Sequence, residues 1–347
     1  MVSYRIGRLS LTTPTAIRNF YLTTLTILSL VLASCAAESN PLRFVIASTK
    51  FDGSDFKIIL KDSTHNLTHP RVSPNGKLLT LTKYYHKNLD GLCLEESGYF
   101  NTEILVANID GSNLRAVVPH QNGVMAANSS FVDDKHIIYI HFKPPQKTAI
   151  RLLDIETGEE RELPTPQNLM PSDPHVRGND FVFGTVDLEK KHPNTIWYSK
   201  IDTSLAKQLT HPIFPSYKPE SFNLGDYDPR ISPDGKKVVF MRYFGKEDWK
   251  TFVLDLTKPD AKEVQITNTF AWATPDWTPD GKQLVCFYIN RADLKNSGIW
   301  LMNPDGSDKK QVNIPRKYII HNPNTFIDKD LNEPRIIYGA HYNPGIR

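Results

Sequence analysis

The stretch PRISPDGKKVVF (Pro229–Phe240) recurs with variations along the chain, and this recurrence restricts the fold more than any other feature. Close copies are PRVSPNGKLLTL (Pro70–Leu81) and PDWTPDGKQLVCF (Pro275–Phe287). Weaker ones are SSFVDDKHIIYI (Ser129–Ile140), PHVRGNDFVFG (Pro174–Gly184) and NTFIDKDLNEPRIIY (Asn324–Tyr338). In each, an extended run is broken by a turn and an apolar run follows at once. Proline presets the backbone angle at the turn's second position, Asp or Asn bonds to nearby backbone, and Gly accepts a positive φ. The two strands must then lie antiparallel. The turn landmarks Gly76, Lys135, Asp180, Gly235, Gly281 and Asp330 are 45 to 59 residues apart, at or above the spacing of four-stranded propeller blades.

Each unit carries a second hairpin. These are EILVANIDGSNLRAVV (Glu103–Val118), IRLLDIETGEERELP (Ile150–Pro164), IWYSKIDTSLAKQLT (Ile196–Thr210), TFVLDLTKPDAKEVQIT (Thr251–Thr267) and IWLMNPDGSDKKQVN (Ile299–Asn313). A unit is therefore four strands, A to D. The last repeat supplies only A and B, while FVIASTKFDGSDFKIIL (Phe44–Leu60) is an orphan C–D hairpin. Joining the two predicts an all-β fold over residues 43–347, a six-bladed β-propeller closed by half-blades from both termini. An open β-solenoid or two β-sandwiches would leave these complementary ends unexplained, and closure removes the free edge strands of an open array.

Ahead of the repeats, Arg5, Arg8 and Arg18 precede an apolar run from Phe20 to Leu32 and then LASC (Leu32–Cys35). This pattern resembles a bacterial lipoprotein signal peptide, with residues 1–34 removed, Cys35 lipidated and residues 35–42 a short tether. The run is shorter than the roughly 20 residues of a spanning helix; a short buried helix or an uncleaved anchor is the alternative. Ala36 after the cysteine resembles outer-membrane sorting. The expected location is the bacterial envelope, anchored to a membrane and facing the periplasm.

The repeats resemble those of TolB-type propellers, which are WD40-like with a Pro-Asp-Gly turn. Trp277–Lys282 matches best, and Leu67-Thr68 and Leu209-Thr210 match the Leu-Thr that ends the family's outer hairpin. The resemblance implies the fold and says little of function, because this propeller serves many roles. Only Ala36–Leu42 separate Cys35 from the first strand, leaving no room for the amino-terminal domain of TolB, so a TolB role in envelope translocation is not expected.

The formal charge of +3 is well mixed along the chain, so no nucleic-acid partner is implied. The 25 prolines against 18 glycines, with 10% aromatics, suit short strands and turns. Of three cysteines, Cys286 aligns with Leu81, Tyr139, Phe183, Phe240 and Tyr338, the expected inter-sheet core position. A bond from it to Cys93 is not expected, because Cys93 lies in a long loop. The turns DGSD (Asp52–Asp55) and PDGSDKK (Pro304–Lys310) read as hairpins, since they lack the remaining ligands of a calcium loop. No HExxH, GxSxG, P-loop or CxxC occurs.

In a blade the B–C and D–A connections share one face. Here that face holds the long segments Tyr84–Asn101, Asp187–Asn194, His211–Tyr227 and Ile289–Gly298, with aromatics Tyr84, Tyr85, Tyr99, Phe214, Tyr217, Phe222, Tyr227 and Trp272. Binding residues concentrate on such loops. The residues opening each strand A are His69, Asn128, Asp173, Asp228, Thr274 and Asn322 or Pro323; those ending strand B are Lys83, His141, Thr185, Arg242, Tyr288 and Ala340. His69, Asn128, Asp173, Asp228, Lys83, His141 and Arg242 are thus the expected lining of a channel mouth for a polar or charged ligand, or for a cation between the two aspartates. The plainer explanation is that Asp-Pro and His-Pro start strands, their side chains capping local N–H groups.

The favoured function is a monomeric, cofactor-free binding propeller that holds a protein segment or glycan. The second is a metal-dependent enzyme on acidic oligosaccharides, because TolB-type propellers include oligogalacturonate lyases with a metal and histidines at the channel mouth. His69, His141, Asp173, Asp228, Lys83 and Arg242 would serve that chemistry, although no tight histidine cluster carries the match. The metal is left open.

Overall fold

A computed structural model describes residues 44–342 apart from 86–100, 145, 167, 188, 204, 219–222, 247, 259, 269–271, 289–296 and 316–317. The leader, Cys35, the tether, Cys93, Tyr99 and Phe222 lie outside the described residues. Every described element is a strand, and among the described residues no helix is long and apolar enough to cross a membrane.

The first two strands are β1 (Phe44–Lys50) and β2 (Lys57–Asp62). Five sheets of consecutive strands follow. Blade 1 is β3–β6 (Asn66–Val72, Leu78–Tyr84, Thr102–Asn108, Arg115–Val118) and blade 2 is β7–β10 (Met125–Phe131, His136–Phe142, Ala149–Asp154, Glu160–Glu162). Blade 3 is β11–β14 (Met170–Arg177, Asp180–Val186, Thr195–Lys200, Lys207–Gln208). Blade 4 is β15–β18 (Gly225–Ile231, Lys237–Tyr243, Trp249–Asp255, Val264–Gln265). Blade 5 is β19–β22 (Trp272–Trp277, Leu284–Tyr288, Gly298–Met302, Lys310–Gln311). Blade 6 joins the ends of the chain: β23 (Tyr318–Asp328) and β24 (Glu333–Tyr342) pair with the opening hairpin in the order β2-β1-β24-β23.

Within each blade the sequence periodicity follows the layer. The second strands are buried on both faces, as in KVVFMRY of β16, because each sheet is sandwiched between two others. Phe181, Phe183, Phe240 and Tyr139 are almost fully buried, and such burial contributes about 1.5–3 kcal/mol for each large apolar side chain. Cys286 takes the corresponding place in blade 5, with no exposed surface, among Val239, Val253, Trp277 and Met302. The outermost strands are short, and Val264 and Gln265 are both exposed.

The recurring turn works alike in its three close copies. Ser232 Oγ donates to Asp234 Oδ1 at 2.6 Å, the same oxygen accepts from Lys236 N, and Gly235 sits at φ 73°. Thr278, Asp280 and Gly281 repeat this geometry, as do Ser73, Asn75 and Gly76. The side chain bridges the turn and fixes the register of strands A and B.

Closure is a seven-residue antiparallel ladder from Phe44↔His341 to Lys50↔Arg335. The buried Arg335 guanidinium clamps it, donating to Ser48 Oγ (2.9 Å), Asp55 Oδ2 (2.7 Å) and the Asp55 carbonyl (2.8 Å). Residues nearly the whole chain apart are held by one side chain.

The innermost strands differ from expectation in one respect. His69, Asn128, Asp173, Asp228, Thr274 and Asn322 do not open strand A. They lie inside it, each at a β-bulge where the pairing with strand B shifts. All six have positive φ, between 42° and 56°. Proline follows five of them; it has no N–H for the ladder, and a bulge is where a strand tolerates that. Leu67 and Thr68 likewise lie within β3 and do not end an outer hairpin.

Candidate axial binding site

The repeated bulge turns one polar side chain per blade toward the axis. This first ring holds His69, Asn128, Asp173, Asp228, Thr274 and Asn322. Bonds between neighbouring blades knit it together: Asn128 Nδ2 donates to Asp173 Oδ1 (2.6 Å), and Thr68 Oγ1 donates to Asn322 Oδ1 (2.6 Å). The carboxyl groups of Asp173 and Asp228, on adjacent blades, are close enough to act on each other's titration. Burial, followed by the charge of Asp228, raises the Asp173 pKa to about 7. Burial also raises Asp228, against the pull of Arg230 and Arg71. The pair therefore shares a proton near neutral pH. Asp173 keeps part of its surface open to the channel while Asp228 is nearly covered.

Two residues further along each strand lies a second ring, nearer the short A–B turns: Arg71, Ser130, His175, Arg230, Asp276 and Asn324. His175 Nδ1 accepts the Ile231 N–H at 3.1 Å, and Asn324 Nδ2 donates to Asp276 Oδ2. Burial pushes His69 and His175 well below the ordinary histidine pKa, assisted in both by nearby arginines. Both imidazoles are neutral at pH 7. Burial, with the charge of Arg230, lowers the Arg71 pKa to about 9. That Arg71 senses charges from blades 3, 4 and 5 shows these side chains converge on the axis.

The second-strand residues expected at the mouth point elsewhere. Arg242 forms a two-point pair with the buried Asp226 (2.5 and 3.0 Å), approaches Glu263, and lies over the Phe252 ring at 4.6 Å. It stretches along its own sheet, not into the channel. Lys83 pairs at 2.9 Å with Asp62 of blade 6 and lies 5.1 Å from the Tyr85 ring centre. His141 is half-buried beside Tyr139, its pKa lowered by burial and then by Arg151. Residues on the second strand alternate between the two blade interfaces, so the strand end does not bring them to the axis.

Aromatic residues of the long-loop face are also committed to packing. Tyr84 and Tyr227 are buried, and Tyr227 Oη donates to the Asn223 carbonyl at 2.6 Å. Phe214 and Tyr217 pack against the cluster of Leu224, Tyr227, Met241 and Trp249. The Tyr217 hydroxyl donates to the His192 carbonyl.

Sequence reasoning missed the second ring. Its signal is the residue after the strand-A proline, in HPR, DPH, DPR, TPD and NPN: a polar side chain inside a strand that is otherwise buried. Among the described residues no group of three or more His, Cys, Asp or Glu is placed to hold a metal ion. Asp173 and Asp228, sharing a proton, are two donors only. The donors among the described residues do not assemble a metal centre.

No protein-family model matches the chain. No curated protein matches it either. Among solved structures the chain is similar to a putative TolB from Agrobacterium tumefaciens, with 16% identity and TM-score 0.61 over 88% of this chain and 100% of that one. It is also similar to TolB from Acinetobacter baumannii, with 14% identity and TM-score 0.55 over 86% of this chain and 64% of that one. The chain thus matches less than two thirds of the Acinetobacter protein. An oligogalacturonate lyase solved in complex with manganese is similar at 14% identity and TM-score 0.53, over 91% and 96%. The shared property is the fold: this chain is a TolB-like six-bladed β-propeller.

Proposed function

We propose that the protein is a lipid-anchored binding propeller of the bacterial envelope, holding a protein segment or glycan at the long-loop end of its axial channel. One observation carries the reading: a bulge repeated in all six blades aims the first-ring side chains at a common axis. Two of their buried polar atoms, Asn128 Oδ1 and Thr274 Oγ1, have no partner among the described residues. A buried polar group without a partner is costly, so the ring is not arranged for stability alone. The anchor rests on the leader pattern ending at Cys35, and outer-membrane placement rests on Ala36. The inner edge strands line the channel and are protected there, which suits a monomer. The propeller serves as a scaffold, with no chemistry of its own. The manganese-bound lyase among the fold neighbours does not shift this, because no donor set for a metal is assembled among the described residues.

Site-specific photo-crosslinking in the envelope tests the proposal. A crosslinker at position 128 should join the chain to one discrete partner, and one at position 310, on the outermost strand of blade 5, should not. Equal crosslinking from both positions would remove the channel from the account.

A further inference from the structure

We infer that the second ring is an oxyanion-binding site, in which Arg71 and Arg230 grip a carboxylate or phosphate-like group from opposite sides of the channel. The two arginines stand on blades 1 and 4, three blades apart in a ring of six. Both are buried, at 7% and 4% exposure. Each makes a single hydrogen bond among the described residues, Nη1 to the carbonyl of its preceding proline, at 3.0 Å for Arg71 and 2.8 Å for Arg230. Neither has an ion-pair partner there. A guanidinium carries five N–H donors in a planar fork. None of the remaining nitrogens is sealed off without a partner, so they reach the lumen.

The two like charges face each other with no carboxylate in ion-pair contact among the described residues, and most of their donors are left open. A buried charge persists when it is paired or hydrogen-bonded. The channel's carboxyl groups Asp276, Asp228 and Asp173 act on Arg71 from a distance, but none of them meets its fork or that of Arg230. Asp173 and Asp228 hold a proton between them near neutral pH. Asp276 is engaged by Asn324 Nδ2 and by the Trp277 N–H at 2.9 Å. His69, His175 and His321 are held neutral by burial. What is missing is an acceptor for the open donors, and forked guanidinium donors suit carboxylate and phosphate oxygens. This site is separate from the first-ring mouth of the proposed function and does not depend on what that mouth captures.

Calorimetric titration of the full chain tests the inference, with inorganic phosphate and sulfate in one arm and acetate and succinate in the other, against chloride at equal ionic strength. Saturable binding in either arm is expected, and the arm that binds identifies the source of the oxyanion. Arg71→Met and Arg230→Met should each weaken binding about tenfold or more. Without anion these variants should melt no lower than the native chain, because each removes a buried repulsion. Lys83→Met, outside both rings, should leave oxyanion binding in place, and the crosslink from position 128 reports on the mouth separately, so failure of the mouth and failure of this site are distinguishable. Should the arginine variants fail to fold, selenate soaked into crystals of the native chain decides: anomalous signal between Arg71 and Arg230 is the expected result. No saturable binding in either arm, or selenate located only elsewhere, would overturn the inference.

Discussion

The innermost strands and the strands beside them both carry charge toward the long-loop face, yet they spend it differently. On the second strand, Arg242 and Lys83 are satisfied by Asp226 and Asp62. On the first, Asp173 and Asp228 have chiefly each other and Asn128, while Arg71 and Arg230 have no carboxylate in ion-pair contact among the described residues. The bulge separates the two cases, directing a side chain to the axis in every blade. In a propeller, a charged residue near the mouth is a binding candidate when its strand is innermost, and a sheet brace when it is one strand out.

This contrast can be broken most forcefully at Arg242. Arg242→Ala leaves Asp226 buried without its partner and should cost about 3–5 kcal/mol in denaturant unfolding. Arg335→Ala, on the same layer, should cost about 2–3 kcal/mol by loosening the clamp between the chain's ends. A cost near zero for either would show that second-strand charges are not braces.

Asp173→Asn sharpens the other side through pH. The folded pKa of Asp173, about 7, lies above its ordinary 3.8. Its contribution to stability is therefore full below about pH 4 and is lost as pH rises toward 7. His321 runs the opposite way: burial lowers it from 6.5 to about 4, so its contribution is full above pH 6.5 and lost as pH falls. The two slopes oppose each other, and the informative quantity is a difference. The stability of Asp173→Asn relative to the native chain should grow from pH 4 to 7, followed by thermal melts. A flat difference would mean that the two carboxyl groups do not share a proton. The smallest effect belongs to Lys83→Met, about 1 kcal/mol or less, because the Asp62 pair keeps some exposure to solvent.

The architecture was legible in the sequence because register and closure are written locally. Ser-Pro-Asp-Gly pins a hairpin, and an orphan hairpin at one end matches two strands at the other. The first ring was legible as residue identities but not as geometry: His69-Pro70 looks like a strand start and is a bulge within β3. The second-strand residues misled because strand B has no bulge to turn Arg242 or Lys83 inward. Their direction depends on which blade interface each position faces, and partners such as Asp62 lie on another blade. The loop aromatics misled for a related reason. Tyr227 and Tyr84 stand beside loops in sequence but are buried in sheets.

The account stands or falls on which layer of the ring meets the ligand. The direct measurement is capture from native envelopes by three tagged chains: unaltered, Asp173→Asn with Asp228→Asn, and Lys83→Met. Loss of the captured partner with the aspartate pair alone, while Lys83→Met retains it, is the predicted result. Retention by the aspartate variant, with loss in Lys83→Met, would contradict it.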